Sequence, residues 1–206
     1  MKLRVDNYTK FYDEEKGKSF TMEFNPGYTC IVGPNGTGKT TMMKQIESFC
    51  KNNFEEFKVV KFDNVKEGSS HRFQEFLYTG KTDMIASISC SSEGEGIIIN
   101  LGDFATKCGQ ATRECIMNNK KLVILVDGVD SGTSIDKIED FKENFCNFIV
   151  NHCVSQNIEV YIIATANNYA MVSNGVDCVS AINGTHKAFK TYKSFENFIM
   201  KYKKGE

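Results

Sequence analysis

The stretch that decides the fold is Tyr28-Thr29-Cys30-Ile31-Val32-Gly33-Pro34-Asn35-Gly36-Thr37-Gly38-Lys39-Thr40-Thr41. Its first five residues form a short run without alternation, the pattern of a strand buried on both faces. From Lys39 to about Lys51 the residues favour helix. Between the two, Gly33 to Thr40 fits G-x-x-x-x-G-K-[ST] and has the context this pattern requires, a strand before it and a helix after it. Its glycines let the backbone curl so that successive N–H groups face one centre, making an anion nest at a helix N-terminus. In such a loop Lys39 reaches the β and γ phosphates of a nucleotide and Thr40 offers its hydroxyl to Mg²⁺. Asn35, Gly36, Thr37, Gly38 and Thr41 complete the expected phosphate-contacting set.

A nucleotide site of this kind needs a carboxylate at the end of a neighbouring strand to hold Mg²⁺. Leu122-Val123-Ile124-Leu125-Val126-Asp127 supplies one. A lone strand-end Asp is usually a turn or cap residue; with the phosphate loop upstream, the metal role for Asp127 is the better reading. Around these two segments, strands alternate with helices from residue 28 onward. Strands are expected over 2–12, 19–24, 28–32, 57–62, 121–127, 158–164 and 176–182, with Asn183-Gly184 as a hairpin turn. Residues 97–117 read as one long apolar-striped helical region interrupted near Gly102. Residues 135–153 follow amphipathic spacing with Thr133 as a cap, and 192–204 close the chain as a helix. The expected fold is α/β: a phosphate-loop nucleotide-binding domain over 1–206 with a mainly parallel central sheet, an N-terminal antiparallel β hairpin and a very short helical subdomain.

Composition narrows the function classes. The chain has 206 residues, 25 Lys+Arg against 26 Asp+Glu, and a formal net charge of −1, so no strong overall positive field is available to hold nucleic acid. Six lysines near the C-terminus, Lys187, Lys190, Lys193, Lys201, Lys203 and Lys204, read as a solvated surface, with nucleic acid or an acidic partner as the minority reading. No apolar run reaches the roughly 18 residues of a membrane span, and Met1 leads into charged residues rather than an apolar leader. A cytoplasmic protein with reduced thiols is expected. The eight cysteines show no C-x-x-C spacing, and Cys108 with Cys115 and Cys146 with Cys153 stand seven apart on helical faces, as core filling does. Cys30 in the loop strand and Cys90 are the two thiols whose alkylation is expected to respond to ATP.

The wording Gly33-Pro34-Asn35-Gly36-Thr37-Gly38-Lys39-Thr40-Thr41 resembles the ATP-binding-cassette class, including transporter cassettes and the SMC and RecF-like DNA-repair ATPase heads. An antiparallel hairpin ending in Asn25-Pro26-Gly27 before the loop strand is similar to that class too. Asp127-Gly128-Val129-Asp130-Ser131-Gly132 resembles its Asp-Glu-Pro-x-Ser-Gly run, and Ser91-Ser92-Glu93-Gly94-Glu95 its Leu-Ser-Gly-Gly-Gln signature. The resemblance implies ATP and Mg²⁺ as ligands and an ATP sandwich between two subunits, as an ATP-dependent homodimer or with a partner head. Ser92 and Gly94 would then contact the γ phosphate held by the other subunit. An acidic solvated turn is the alternative for that segment.

The departures matter as much. The family's catalytic Glu directly follows the metal Asp, whereas this chain has Gly128; Asp130 is the nearest replacement, and a turn contact is an equal alternative for it. Thr165-Ala166-Asn167-Asn168 stands where the family carries a switch histidine, and an Asn can hydrogen-bond a phosphate but cannot carry a proton. Slow hydrolysis follows. Gln74 is the candidate for the family's Mg²⁺-sensing glutamine, with Arg72 nearby, and Tyr12 is a candidate adenine-stacking aromatic. A non-hydrolysing nucleotide switch is one rival. A phosphate-loop kinase for a small molecule is another, opposed by a chain whose only arginines are Arg4, Arg72 and Arg113.

Overall fold

A computed structural model describes residues 1–7, 18–63 and 93–203. The sequence order is β1 (Lys2–Asn7), β2 (Lys18–Glu23), β3 (Gly27–Val32), α1 (Lys39–Asn52), β4 (Phe57–Asp63), α2 (Glu93–Asn118) and β5 (Lys121–Asp127). There follow α3 (Ile135–Asp140), a π-helical segment (Phe141–Cys146), α4 (Asn147–Ser155), β6 (Val160–Ala166), a 3₁₀ turn (Tyr169–Val172), β7 (Asp177–Ser180), β8 (His186–Lys187) and α5 (Tyr192–Lys203). The central sheet has the order β4-β5-β6-β3-β7-β8. Every neighbouring pair is parallel except the terminal β7–β8 hairpin. β1 and β2 form a separate antiparallel pair, Lys2 opposite Glu23 through Asn7 opposite Lys18.

Strand alternation sorts the side chains into two cores. Leu122, Ile124 and Val126 of β5, with Val160, Ile162, Ala164 and Ala166 of β6, pack against Phe104, Cys108, Cys115, Phe141, Cys146 and Ile149 of the helices on one face. Val123, Leu125 and Ile163 take the opposite face, where Met42, Met43 and Ile46 of α1 and Leu3, Val5 and Met22 of the hairpin cover them. On the first face Phe62, Phe104, Phe145 and Phe141 follow one another with ring centroids 5.4, 5.7 and 5.3 Å apart. Each such contact adds about 1 kcal/mol beyond the area it buries. The turn after β7 locks onto the hairpin: Gly184 has φ 71°, and a Cβ there would lie 2.3 Å from the Thr21 carbonyl oxygen. No larger residue fits beside that backbone.

Several boundaries differ from the sequence reading. β1 is described over Lys2–Asn7, and residues 8–12 of the expected strand lie outside the described residues, as does the expected short helical part after β4. α2 runs unbroken through Gly102, which is exposed with nothing near its Cβ position. The roughly 1 kcal/mol helix penalty of glycine is outweighed there by the buried stripe of Phe104, Cys108, Ala111 and Cys115. Ser134, not Thr133, is the N-cap of α3, because the Thr133 hydroxyl turns back to donate to the Val129 carbonyl at 2.7 Å. β6 starts two residues later than expected, since Asn157 (φ 57°) and the bond from Ile158 N to Cys153 O close the end of α4 first.

Seven cysteines, Cys30, Cys50, Cys108, Cys115, Cys146, Cys153 and Cys178, are free and buried. Burial pushes the Cys30, Cys50 and Cys108 thiols up to about 12 and Cys115 to about 11. Thiolate is the reactive form, and a raised thiol stays protonated below its folded pKa. At pH 8 peptide mapping is therefore expected to find these seven unmodified by iodoacetamide until the protein unfolds. Rapid labelling of Cys30 in the folded state would contradict this. The expected ATP-sensitive alkylation of Cys30 is accordingly replaced by protection with or without ATP, and Cys90 lies outside the described residues.

Candidate functional site

β3 delivers the chain into the loop at the carboxyl end of the parallel sheet, the end at which open α/β sheets bind ligands. Gly36 and Gly38 take φ 86° and 81°. The loop is pinned internally: the Thr37 hydroxyl donates to the Pro34 carbonyl at 2.8 Å and its N–H to the same oxygen at 3.3 Å. It is also pinned from outside. The Asn7 side chain at the end of β1 donates to the carbonyls of Thr37 and Ala181, both at 3.1 Å. Asn7 occupies a buried position in the alternating strand Leu3, Val5, Asn7. A polar residue on the apolar side of a strand was the signal that could have found it.

Lys39 opens α1 with its ammonium folded onto the loop, 2.7 Å from Gly33 O and 3.3 Å from Pro34 O. Burial lowers its pKa, and the Asp130 and Asp127 carboxylates nearby oppose that shift. The three residues expected to carry the chemistry are thus brought together. Asn35, Gly36, Thr40 and Thr41 are exposed, while Thr37 is buried. The Thr40 hydroxyl bonds to no described residue.

Asp127 follows from register. The β5–β6 ladder pairs Val126 with Ala164, so Asp127 and Thr165 fall side by side on the α1 face of the sheet. The Thr165 hydroxyl donates to Asp127 Oδ1 at 2.8 Å and accepts the Gly128 N–H at 3.0 Å. Among the described residues Asp127 Oδ2 has no partner. The contact of Thr165 with Asp127 escaped the sequence reading, although Thr165 is the one threonine of the β6 run Val-Tyr-Ile-Ile-Ala-Thr-Ala. Gly128 has φ 74°, left-handed backbone that a Glu would adopt only with strain.

Asp130 is buried. Its Oδ2 accepts the backbone N–H groups of Asn167 and Asn168 at 2.6 and 2.7 Å, and its Oδ1 accepts the Asn167 side-chain amide at 3.2 Å. A carboxylate offers about four lone-pair sites, so among the described residues one acceptor position remains unfilled, on Oδ1. Because β6 lies between β3 and β5, Asn167 follows a strand flanked by the loop strand and the Asp127 strand. Asn35, Asp130, Ser131, Asn167, Asn168, Tyr169, Tyr192 and Phe195 line a cavity of about 530 Å³.

Of the other sequence candidates, Gly94 sits in the first turn of α2, which begins at Glu93. Tyr12, Gln74, Arg72 and Ser92 lie outside the described residues. Among the described residues no cluster of three or more His, Cys, Asp or Glu could hold a metal ion, and no helix is long and apolar enough to cross a membrane. Of the three side chains expected to meet Mg²⁺, Gln74 lies outside the described residues, and the Thr40 hydroxyl and Asp127 Oδ2 suit that ion. They are hard donors without a partner among the described residues, and Mg²⁺ commonly takes one or two protein oxygens and completes its shell with phosphates and water.

The solved structure of a nucleotide-free ATP-binding cassette from an ABC transporter is similar to this chain, with a TM-score of 0.43 and 14% identity, over 96% of this chain and 95% of that one. No curated protein matches the chain. A family profile described as an ATPase domain predominantly from Archaea (ATPase_2) matches residues 22–205, which takes in the phosphate loop, Asp127 and Asp130. With that match over nearly its whole length, on a phosphate loop set at the carboxyl end of a parallel sheet, the chain belongs to this family of P-loop ATPase domains.

Proposed function

We propose that residues 1–206 form one domain that binds ATP with Mg²⁺ and hydrolyses it slowly, with ATP held between two subunits, either two copies of this chain or this chain and a partner head. The observation that carries the reading is the arrangement around Lys39. Its ammonium is held on the loop carbonyls beside Asp127 and Asp130, while the Thr40 hydroxyl and Asp127 Oδ2 have no partner among the described residues. Backbone N–H groups of Asn35 to Thr41 would cradle the phosphates, and Lys39 would leave Gly33 and Pro34 for the β and γ oxygens. Thr40 and Asp127 would hold Mg²⁺, whose charge neutralises the phosphate oxygens. Asp127 is kept in orientation by Thr165. Asp130, with its one remaining acceptor position, would orient the attacking water.

In the sandwich, Ser92 and Gly94 would meet the γ phosphate of the facing subunit, Tyr12 would stack on adenine, and Gln74 would reach the Mg²⁺ shell. The test pairs turnover with association. Phosphate release is expected to need Mg²⁺ and to fall about a hundredfold in Asp127→Asn. Sedimentation is expected to show ATP-dependent dimers that Ser92→Arg removes without affecting ATP binding. Turnover that survives EDTA would overturn the metal assignment, and ATP-driven dimers of Ser92→Arg would overturn the sandwich. A second reading, a nucleotide switch without turnover, draws on Gly128 in the usual base position and on the three donors already engaging Asp130. Phosphate release no faster than that of Lys39→Ala would favour it.

A further inference from the structure

Lys142 has no part in the phosphate loop or in the metal pair, yet it is the buried end of a polar chain that begins at Asp130. It lies in the π-helical segment Phe141–Cys146, and π segments inside α-helices recur at functional sites. Its side chain is only 9% exposed. All three ammonium protons are matched: the Ala170 carbonyl at 2.7 Å, the Ser173 hydroxyl at 2.7 Å, and the Glu139 carboxylate at 3.1 and 3.2 Å. Ser173 Oγ also lies 2.9 Å from Ala170 O and 3.1 Å from Glu139 Oε1. Lys142, Glu139 and Ser173 therefore close a ring of bonds around the carbonyl of Ala170.

Ala170 belongs to the 3₁₀ turn Tyr169–Val172, and the other end of that turn is the phosphate site. Asn168 caps it, accepting the Ala170 N–H at 3.0 Å through its side chain. The N–H groups of Asn167 and Asn168 meanwhile run to Asp130. The middle is tied to the loop strand, where the Tyr28 hydroxyl lies 3.3 Å from Met171 O. Residues 167–173 are thus held in front by Asp130, in the middle by Tyr28 and behind by Lys142. The segment is only seven residues long, so the bonds at its far end bear on the placement of Asn167.

We infer that Lys142, with Glu139 and Ser173, is a positioning device that sets the segment after β6 so that Asn167 meets the γ phosphate while Asp130 faces the attacking water. This rests on the ATP reading above. Lys142 would not touch nucleotide. Its effect would reach contacts made to the γ phosphate and leave those made by the loop to the α and β phosphates.

Titrations of Lys142→Met with ADP and with ATPγS, beside circular dichroism and phosphate release, test it. Wild type is expected to bind ATPγS about tenfold more tightly than ADP. Lys142→Met should keep the ADP Kd within about threefold and lose that preference, with kcat down about tenfold or more. Ser173→Ala, which removes one member of the ring and keeps the ion pair, should move the preference in the same direction by less and covers the case in which Lys142→Met does not fold. Retention of the preference in the folded variants overturns the inference, and so does an equal loss of affinity for both nucleotides. Wild type that prefers ATPγS but releases no phosphate above Lys39→Ala would remove the hydrolysis reading alone, and the binding comparison would still decide Lys142. Wild type that binds neither nucleotide overturns both.

Discussion

Lys39→Ala is expected to weaken ATP binding at least about a hundredfold, equivalent to about 2.7 kcal/mol, while leaving the fold in place. The ammonium is the one cation the described loop aims at its own mouth, bonded to Gly33 O and Pro34 O. Charge-assisted bonds to phosphate oxygens are roughly twice as strong as neutral ones, and the methyl of alanine replaces none of them. The loop should survive because pins other than the Lys39 bonds remain: Thr37 stays bonded to Pro34, Asn7 to Thr37, and Met42 N to Gly38 O at 2.9 Å. Titration with a fluorescent ATP analogue beside a thermal melt separates the two effects. An unchanged Kd would sink the assignment of this loop as the nucleotide site.

Asp130 supports a second large effect, read by comparing two substitutions. Asp130→Ala strands three N–H donors, two of them backbone. Asn167 is exposed, so water compensates in part, and the expected loss is about 2 kcal/mol, or about 6 °C in Tm. Asp130→Asn keeps one oxygen for the two backbone N–H groups. The Asn167 carboxamide can then turn over to present its own oxygen to the new NH₂. Its stability should stay within about 1 kcal/mol of wild type. The position left open on Oδ1 would become a donor, however, and could no longer accept from water. If Asp130 orients the attacking water, kcat in Asp130→Asn falls about a hundredfold with the protein folded. Wild-type turnover in a folded Asp130→Asn would leave Asp130 as the strut of the 167–168 turn and nothing more.

The two effects also mark how far the site was legible. Lys39, Thr40 and Asp127 could be named from spacing and context because their chemistry requires fixed positions: a lysine at a helix start and a carboxylate at a strand end. Their local geometry is set within a few residues of backbone. The two alternative roles of Asp130, base or turn contact, could not be separated in the sequence, because its partners stand at Asn167 and Asn168, 37 and 38 positions away. The same limit applies to Thr165 and Lys142, whose partners lie 38 and 28 to 31 positions off. Asn7 was visible only as a polar residue out of place.

The sequence by itself determined the strand-loop-helix unit at residues 28–51, the carboxylate-ended strand at 121–127 and the alternation that makes the sheet parallel. In each, hydrophobic period and glycine position act over a single element. Tertiary structure decided the strand order, and with it which polar ends share the space beside the loop. β6 inserts between β3 and β5, so Thr165 reaches Asp127 and Asn167 reaches Asp130. Those hydrogen bonds depend on the register of strands distant in the chain, and no local propensity encodes that register.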